Sequence, residues 1–136
     1  MYTKIRGVTL TTFRAVVVVL IAATLLAGCK FSLPDVTSAT VTRYVSGNPG
    51  PQTELTPSQR AAIATWFKEH KSGWSSSFAS YVPQLEVRVA HQNGTQSVIN
   101  VIDSKVVVKG EFGQYERNSG KPALAALRAA ISASSN

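Results

Sequence analysis

One segment near the middle of the chain carries apolar residues at the spacing of an α-helix. Thr56 precedes it as an N-cap residue, Pro57 takes the first helical position, and Gln59 completes a capping box. The pattern therefore predicts a helix that runs to about Lys71. Its core-facing stripe is expected to consist of Ala62, Ile63, Trp66, Phe67 and His70.

Apolar and polar residues alternate in the next regular segment, Leu85-Glu86-Val87-Arg88-Val89, which predicts a half-buried strand. Asn93-Gly94 follows and favours a hairpin with a two-residue turn, because both residues tolerate positive φ. Asn100 then faces the apolar side of the sheet, where it needs a hydrogen-bond partner. The opposed pairs that this turn predicts are Val89 with Val98, Val87 with Asn100, and Leu85 with Ile102.

The remaining pattern predicts further strands and a closing helix. Residues 39–45 indicate an edge strand, and the prolines and glycines of 46–51 are expected to end it. Residues 105–109 and 114–117 extend the hairpin into an antiparallel meander. Pro122 is expected in the first turn of a helix whose apolar stripe is Leu124, Leu127 and Ile131.

Together these elements predict an α+β fold in a single domain of residues 39–131. We expect an antiparallel sheet of about four or five strands, packed by the helix from Pro57 and by the C-terminal helix. Residues 132–136 are polar and are expected to form a disordered tail.

The N-terminal segment has the parts of a secretory signal. A basic region with Lys4, Arg6 and Arg14 precedes an apolar run over residues 15–28. A helix over this run is about 21 Å long at ~1.5 Å per residue, whereas a membrane span needs about 20 apolar residues. A cleaved signal is therefore favoured over a transmembrane helix. The run ends in Leu26-Ala27-Gly28-Cys29, which resembles the lipobox of bacterial lipoproteins.

This resemblance implies a lipid on Cys29. In that family the thiol receives a diacylglycerol and a peptidase cuts before the cysteine. Residues 1–28 are then a signal peptide, and residues 29–38 are the lipidated cysteine and a tether. Lys30 stands where lipoproteins of the inner membrane usually carry Asp, which favours the outer membrane, facing the periplasm. Cys29 is the only cysteine, so the chain forms no internal disulfide.

The net charge and its distribution indicate which classes of partner to expect. Three of the fourteen Lys and Arg residues lie in the predicted signal peptide, whereas all seven acidic residues follow it. The mature chain is mildly basic, its cations are scattered, and exported proteins rarely meet nucleic acid, so no nucleic-acid partner is expected. The expected partners are the membrane, through the lipid on Cys29, and an envelope protein or peptidoglycan.

Candidate catalytic and metal-binding residues are few. His70 and His91 are the only histidines, and neither has a second His or a Cys at metal-ligand spacing, so no metal and no cofactor are expected. His70 is expected to be half-buried at the helix end, and His91 to be exposed beside the hairpin turn. A Ser-His-Asp set can be composed with Asp103, but no nucleophile elbow accompanies it.

Six aromatic or cationic residues remain as a candidate partner surface, because such residues anchor protein interfaces when they cluster. They are Trp74, Phe78 and Tyr81 in a serine-rich connection, and Phe112, Tyr115 and Arg117 in a later loop. The aromatics of the connection either cap the core or form an exposed binding surface.

The sequence thus predicts a non-catalytic, lipid-anchored binding module of the cell envelope. It would hold or inhibit a periplasmic protein or assist an envelope assembly. The alternative is a lipoprotein enzyme that acts on a cell-wall substrate, which requires an activated nucleophile or paired carboxylates in a cleft. The carboxylates in the appropriate half of the chain are Glu86, Asp103, Glu111 and Glu116.

Overall fold

A computed structural model describes residues 29–132. The predicted signal peptide and residues 133–136 of the predicted tail lie outside the described residues. In chain order the elements are β1 (Val36–Val45), β2 (Asn48–Glu54), α1 (Pro57–Glu69), β3 (Ser75–Ser76), β4 (Leu85–His91), β5 (Gln96–Val101), β6 (Lys105–Gly110), β7 (Gly113–Asn118) and α2 (Lys121–Ser132).

The strands form one antiparallel sheet in the order β2-β1-β4-β5-β6-β7-β3. The α+β class is confirmed, but the sheet in the described residues has seven strands rather than four or five. The two strands at its edges, β2 and β3, come from segments in which no strand was predicted, and β1, which was expected at the edge, pairs with both β2 and β4. Edge strands bond on one side only, so they tolerate sequences that a central strand does not.

Residues 46–51 were expected to end the strand of residues 39–45; β1 does end at Val45, but residues 48–51 belong to a second strand, β2, that pairs with it. Ser46 and Gly47 both have positive φ, 50° and 79°, which is the geometry of a two-residue hairpin turn. Gly50 and Pro51 form a bulge opposite Arg43, where the register with β1 shifts. A side chain at Gly50 would begin 3.1 Å from the Arg43 carbonyl oxygen. The prolines are accommodated because β2 lies at the edge.

The β4–β5 hairpin differs from the predicted register by one residue. The His91 N–H donates to the Thr95 carbonyl at 2.9 Å, so the loop has three residues rather than two. Gly94 alone takes positive φ, 82°, as expected for a three-residue loop that ends in a glycine. Asn100 therefore leaves the apolar face. The observed pairs include Leu85 with Val101, Glu86 with Asn100, and Val87 with Ile99.

Both helices pack on the same face of the sheet. The capping box of α1 is confirmed, since Gln59 N–H donates to Thr56 Oγ1 at 3.2 Å and Thr56 N–H donates to Gln59 Oε1 at 2.8 Å. The Trp66 indole donates to the Ala123 carbonyl at 2.8 Å and so joins α1 to α2. Of the predicted α1 stripe, Ala62 is exposed.

The core lies between these helices and the sheet. Each large apolar side chain that is fully buried contributes roughly 1.5–3 kcal/mol, so this layer supplies most of the stability. The predicted stripe of α2 is buried as expected. The core side chains include Leu55, Ile63, Trp66, Phe67, Trp74, Leu85, Val87, Val89, Ile99, Val101, Val106, Val108, Leu124, Leu127 and Ile131.

The segment before β1 lies against the domain. The Phe31 ring is centred 4.9 Å from the Trp74 ring and 6.0 Å from the Phe67 ring, and Leu33 is partly buried against the core. Strand β1 begins at Val36, within the range 29–38 for which a tether was predicted. Cys29 therefore lies directly beside packed core residues.

Candidate functional site

Two phenylalanines project into solvent at one end of β7. Phe78 is 100% exposed and Phe112 is 85% exposed, whereas most other aromatic rings of the described chain are at least half-buried. Gln114 lies between them. Its carbonyl accepts from Ser77 N–H at 2.9 Å, and its side-chain amide donates to the Ala79 carbonyl at 2.8 Å. Phe78 is thus held beside the strand that begins one residue after Phe112. We call these two side chains the phenylalanine surface.

The connection that carries Phe78 is fixed to the sheet by a charged network. The Tyr81 hydroxyl donates to one oxygen of Glu116, and the Lys105 ammonium donates to the other at 3.1 Å. The same ammonium lies 5.0 Å from the centre of the Tyr81 ring. These contacts hold the connection across the sheet face that the helices leave open.

Hydrogen bonding stabilises the ionised form of Glu116. The Tyr81 hydroxyl, followed by the Ser77 hydroxyl and the Lys105 ammonium, lowers the pKa of Glu116 to about 2. In turn the Glu116 carboxylate raises the pKa of Lys105. Both groups are therefore charged at neutral pH, and the network is intact there.

The six predicted surface residues occupy different environments. Trp74 is 1% exposed and stacks on Phe67 at 5.7 Å, so for this residue the core alternative holds. Tyr115 is half-buried with its ring 5.7 Å from that of Phe31. Arg117 donates to the Ser72 carbonyl at 2.9 Å and to Ser119 Oγ at 2.7 Å. Of the six, Phe78 and Phe112 are the two that present their rings to solvent.

A groove lies next to Phe112, between the ends of two hairpins and the N-terminal segment. Phe31, Pro34 and Tyr115 form the apolar walls of the groove, and Ser97 also lines it. The groove encloses about 360 Å³ including its open mouth. Of the described residues that line it, Glu111 is the acidic one, so this groove does not hold the paired carboxylates that a glycosidase needs.

His91 is buried beneath this groove, which corrects the prediction that it is exposed. Its side chain is 4% exposed, and Nδ1 donates to the Pro34 carbonyl at 3.1 Å. Since the carbonyl only accepts, Nδ1 carries a proton, and Nε2 lies 2.8 Å from Ser97 Oγ, from which the neutral imidazole accepts a hydrogen bond. The imidazole thus joins the N-terminal segment to β5. The burial of His91 could not be predicted from the sequence, because Pro34 lies far from the hairpin along the chain.

His70 lies where it was expected, half-buried at the end of α1. Its Nδ1 donates to the Trp66 carbonyl at 2.7 Å, and the imidazole stacks on the Trp66 ring at 4.2 Å. Both histidines therefore have structural partners within residues 29–132.

Residues 29–132 contain no group of three His, Cys, Asp or Glu side chains arranged to hold a metal ion. No helix within these residues is both long and apolar enough to cross a bilayer.

Comparisons of the chain with models of known families, with curated protein sequences and with solved structures found no match.

Proposed function

We propose that the protein is a non-catalytic binding module, anchored by a lipid on Cys29 in a bacterial envelope and facing the periplasm. There it holds or inhibits a periplasmic protein or assists an envelope assembly. The lipobox resemblance and the exposure of Cys29 support the anchor, because an acylated thiol must lie outside the core. The mature N-terminal residue is then the point at which the domain meets the membrane.

The observation that carries the binding role is the complete exposure of Phe78 on a connection that hydrogen bonds hold in place. An exposed phenylalanine contributes nothing to the core, whereas its burial by a partner is favourable. Because Gln114 and Glu116 already order the connection, less conformational entropy is lost on binding. Phe112 beside it provides a second apolar anchor.

Anchoring is tested by replacing Cys29 with Ser in cells grown with a radioactive fatty acid. We expect the label to be lost, because no other thiol can accept the lipid. Retention of the label on the Cys29→Ser variant would contradict the anchor while leaving the phenylalanine surface unaffected.

Binding is tested by crosslinking and pull-down from an envelope extract with a soluble fragment of residues 30–136. A captured partner supports the proposal when Phe78→Ala with Phe112→Ala weakens its binding by about 30-fold, as expected for the loss of two interface anchors. Val45→Ala is the matched control, because Val45 is an exposed apolar residue on the β1–β2 hairpin. Equal losses in both variants would exclude the phenylalanine surface as the contact.

The enzyme alternative is favoured by one observation, the hydrogen bond between Ser97 and the His91 imidazole beside the groove. Ser97 is 8% exposed, and its hydroxyl is the nucleophile that such an enzyme would use. On the binding proposal a fluorophosphonate probe leaves the protein unmodified. Labelling that disappears in Ser97→Ala would instead support the enzyme.

A further inference from the structure

Cys29 is held on the domain with no intervening flexible segment. Its N–H donates to the Trp74 carbonyl at 2.8 Å, and Phe31 N–H donates to the Lys71 carbonyl at 2.8 Å. Phe31 also packs on the Trp74 ring. The residues around Cys29 therefore stay close to any structure that is attached to its thiol.

The bilayer is expected to begin at this residue. The apolar run of residues 15–28 ends there, and in our proposed function the thiol carries the lipid. Lipid on Cys29 and an uncleaved apolar run both bring the membrane to the same point on the domain. The side chains beside Cys29 then lie at the level of the headgroups.

These side chains are cationic. Lys30 lies between the two hydrogen-bonded residues and is exposed, as is Lys71. Arg117 reaches the same segment through its bond to the Ser72 carbonyl at 2.9 Å. The three stretches that meet here, 29–31, 71–74 and 117–119, contain these three cations and no acidic residue.

Two acidic residues lie close in sequence to Arg117 and Lys71, but neither cancels the positive charge of this face. Glu116 precedes Arg117 in β7 and so points to the opposite sheet face, where Tyr81 and Lys105 bind it. The segment 68–71 at the end of α1 contains one acidic residue, Glu69, and two lysines, so its net charge is positive. A net positive charge therefore remains around Cys29.

We propose that this anchor face, formed by Lys30, Lys71 and Arg117, binds the anionic headgroups of phospholipids and orients the domain on the membrane. This inference rests on the membrane attachment in the proposed function. A Lys or Arg near an anionic surface strengthens binding by about fivefold, so three strengthen it by about 100-fold at low salt. The phenylalanine surface is held by Gln114, which is three residues from Arg117 along β7. The two surfaces are therefore about 10 Å apart along the strand, since each residue advances it by ~3.4 Å.

The test uses the single cysteine as a chemical handle. Residues 29–132 contain the core described above, so a protein of residues 29–136 is coupled through Cys29 to a maleimide that bears one myristoyl-length chain. One such chain gives only marginal membrane binding, which makes headgroup effects measurable. Vesicles of phosphatidylcholine are compared with vesicles that also contain phosphatidylglycerol. We expect about 100-fold stronger partition to the anionic vesicles, which high salt abolishes.

The paired variant Lys30→Gln with Lys71→Gln should lose about 30-fold of the binding to anionic vesicles and none of the binding to phosphatidylcholine. Arg43→Gln with Lys109→Gln is the matched control, because it removes two exposed cations that lie elsewhere on the sheet. Equal losses in the two pairs would show that net charge alone acts, and the inference would fail. Equal partition of the unmodified sequence to both vesicles would also overturn it.

Failure of the anchor itself is a separate result. Chemical coupling supplies the chain in these assays, so they do not depend on lipidation in cells. The fatty-acid labelling of the Cys29→Ser variant tests the anchor alone.

Discussion

The two faces of the sheet share the same strands but are stabilised in different ways. Under the helices, the central strands present mostly apolar side chains such as Val87, Ile99 and Val108, with His91 and Ser97 buried at one end of that face. On the open face, Val107 of the same β6 strand is 1% exposed, yet its cross-strand neighbours are Asn100 and Glu116. One face is mainly a packed apolar layer, and the other combines a buried valine with half-buried polar and charged side chains.

The two faces therefore have different roles, one in the stability of the fold and one in holding the connection that carries Phe78. Close packing under the helices stabilises the fold, so that face is sensitive to lost volume. The open face uses hydrogen bonds and charge to hold the connection that displays Phe78. That face should be sensitive to lost polar partners and to pH. Each of the following predictions tests one side of this comparison.

The largest expected effect is the loss of Phe67, which is 1% exposed between Phe31, Trp66 and Trp74. Phe67→Ala should lower the free energy of unfolding by about 3–5 kcal/mol, because a cavity forms among close-packed rings. Urea unfolding monitored by circular dichroism measures the change. Phe78→Ala removes the same ring from the open connection and should stay within about 0.5 kcal/mol of the parent protein. Similar losses in both variants would contradict the separation of tasks.

A smaller loss is expected when the hydroxyl of Tyr81 is removed. Tyr81→Phe takes one donor from the Glu116 carboxylate and should lower the free energy of unfolding by about 1–2 kcal/mol. Limited proteolysis should also cut the 77–82 connection faster, because one of its links to the sheet is lost. Tyr44→Phe is the matched control on the same face, since the Tyr44 hydroxyl is 3.5 Å from Glu86. An unchanged cleavage rate in Tyr81→Phe would show that other contacts hold the connection.

The same network predicts a pH dependence. Glu116 has a pKa of about 2 in the folded protein against an ordinary 4.5, so the unfolded chain takes up this proton more readily. The stability that Glu116 contributes is fully present above pH 4.5 and is lost as the pH falls towards 2. Unfolding midpoints in urea should therefore fall through this range. Glu116→Gln should reduce the change of the urea midpoint with pH. An identical pH dependence in the variant would exclude Glu116 as its source.

The smallest effect is a gain in stability at Asn100. Its side-chain oxygen is buried without a hydrogen-bond partner among the described residues. Asn100→Val removes this oxygen and places a β-branched residue in the central strand β5, which should add about 1 kcal/mol. The melting temperature should rise by about 5 °C for a domain of this size. A lower melting temperature would mean that the oxygen is paired in the folded protein.

Local chemistry explains which parts of the fold were predictable. The capping box of Thr56 and Gln59 and the stripe of α2 depend on neighbours within one or two turns, and both are present. The β4–β5 hairpin was predicted, but its register was not, because Gly94 fits a three-residue loop as well as a two-residue turn. The edge strand β2 was missed because its prolines are tolerated only where one side of the strand is unpaired.

The candidate site was predictable in composition but not in arrangement. The sequence identified Phe78 and Phe112 among six residues, yet nothing local distinguishes their environment from that of Trp74. Trp74 is buried because Phe31 and Phe67 reach it from other segments. The residues that hold Phe78 in place, Gln114 and Glu116, bind through contacts of more than thirty residues in sequence separation.

By itself the sequence determined the α+β class and the first helix with its cap, since these depend on short-range spacing. Only the tertiary structure decided which aromatic rings face solvent, where His91 lies and which cations surround Cys29. Those properties arise when the antiparallel sheet brings distant segments together, and short-range residue patterns do not encode which segments meet.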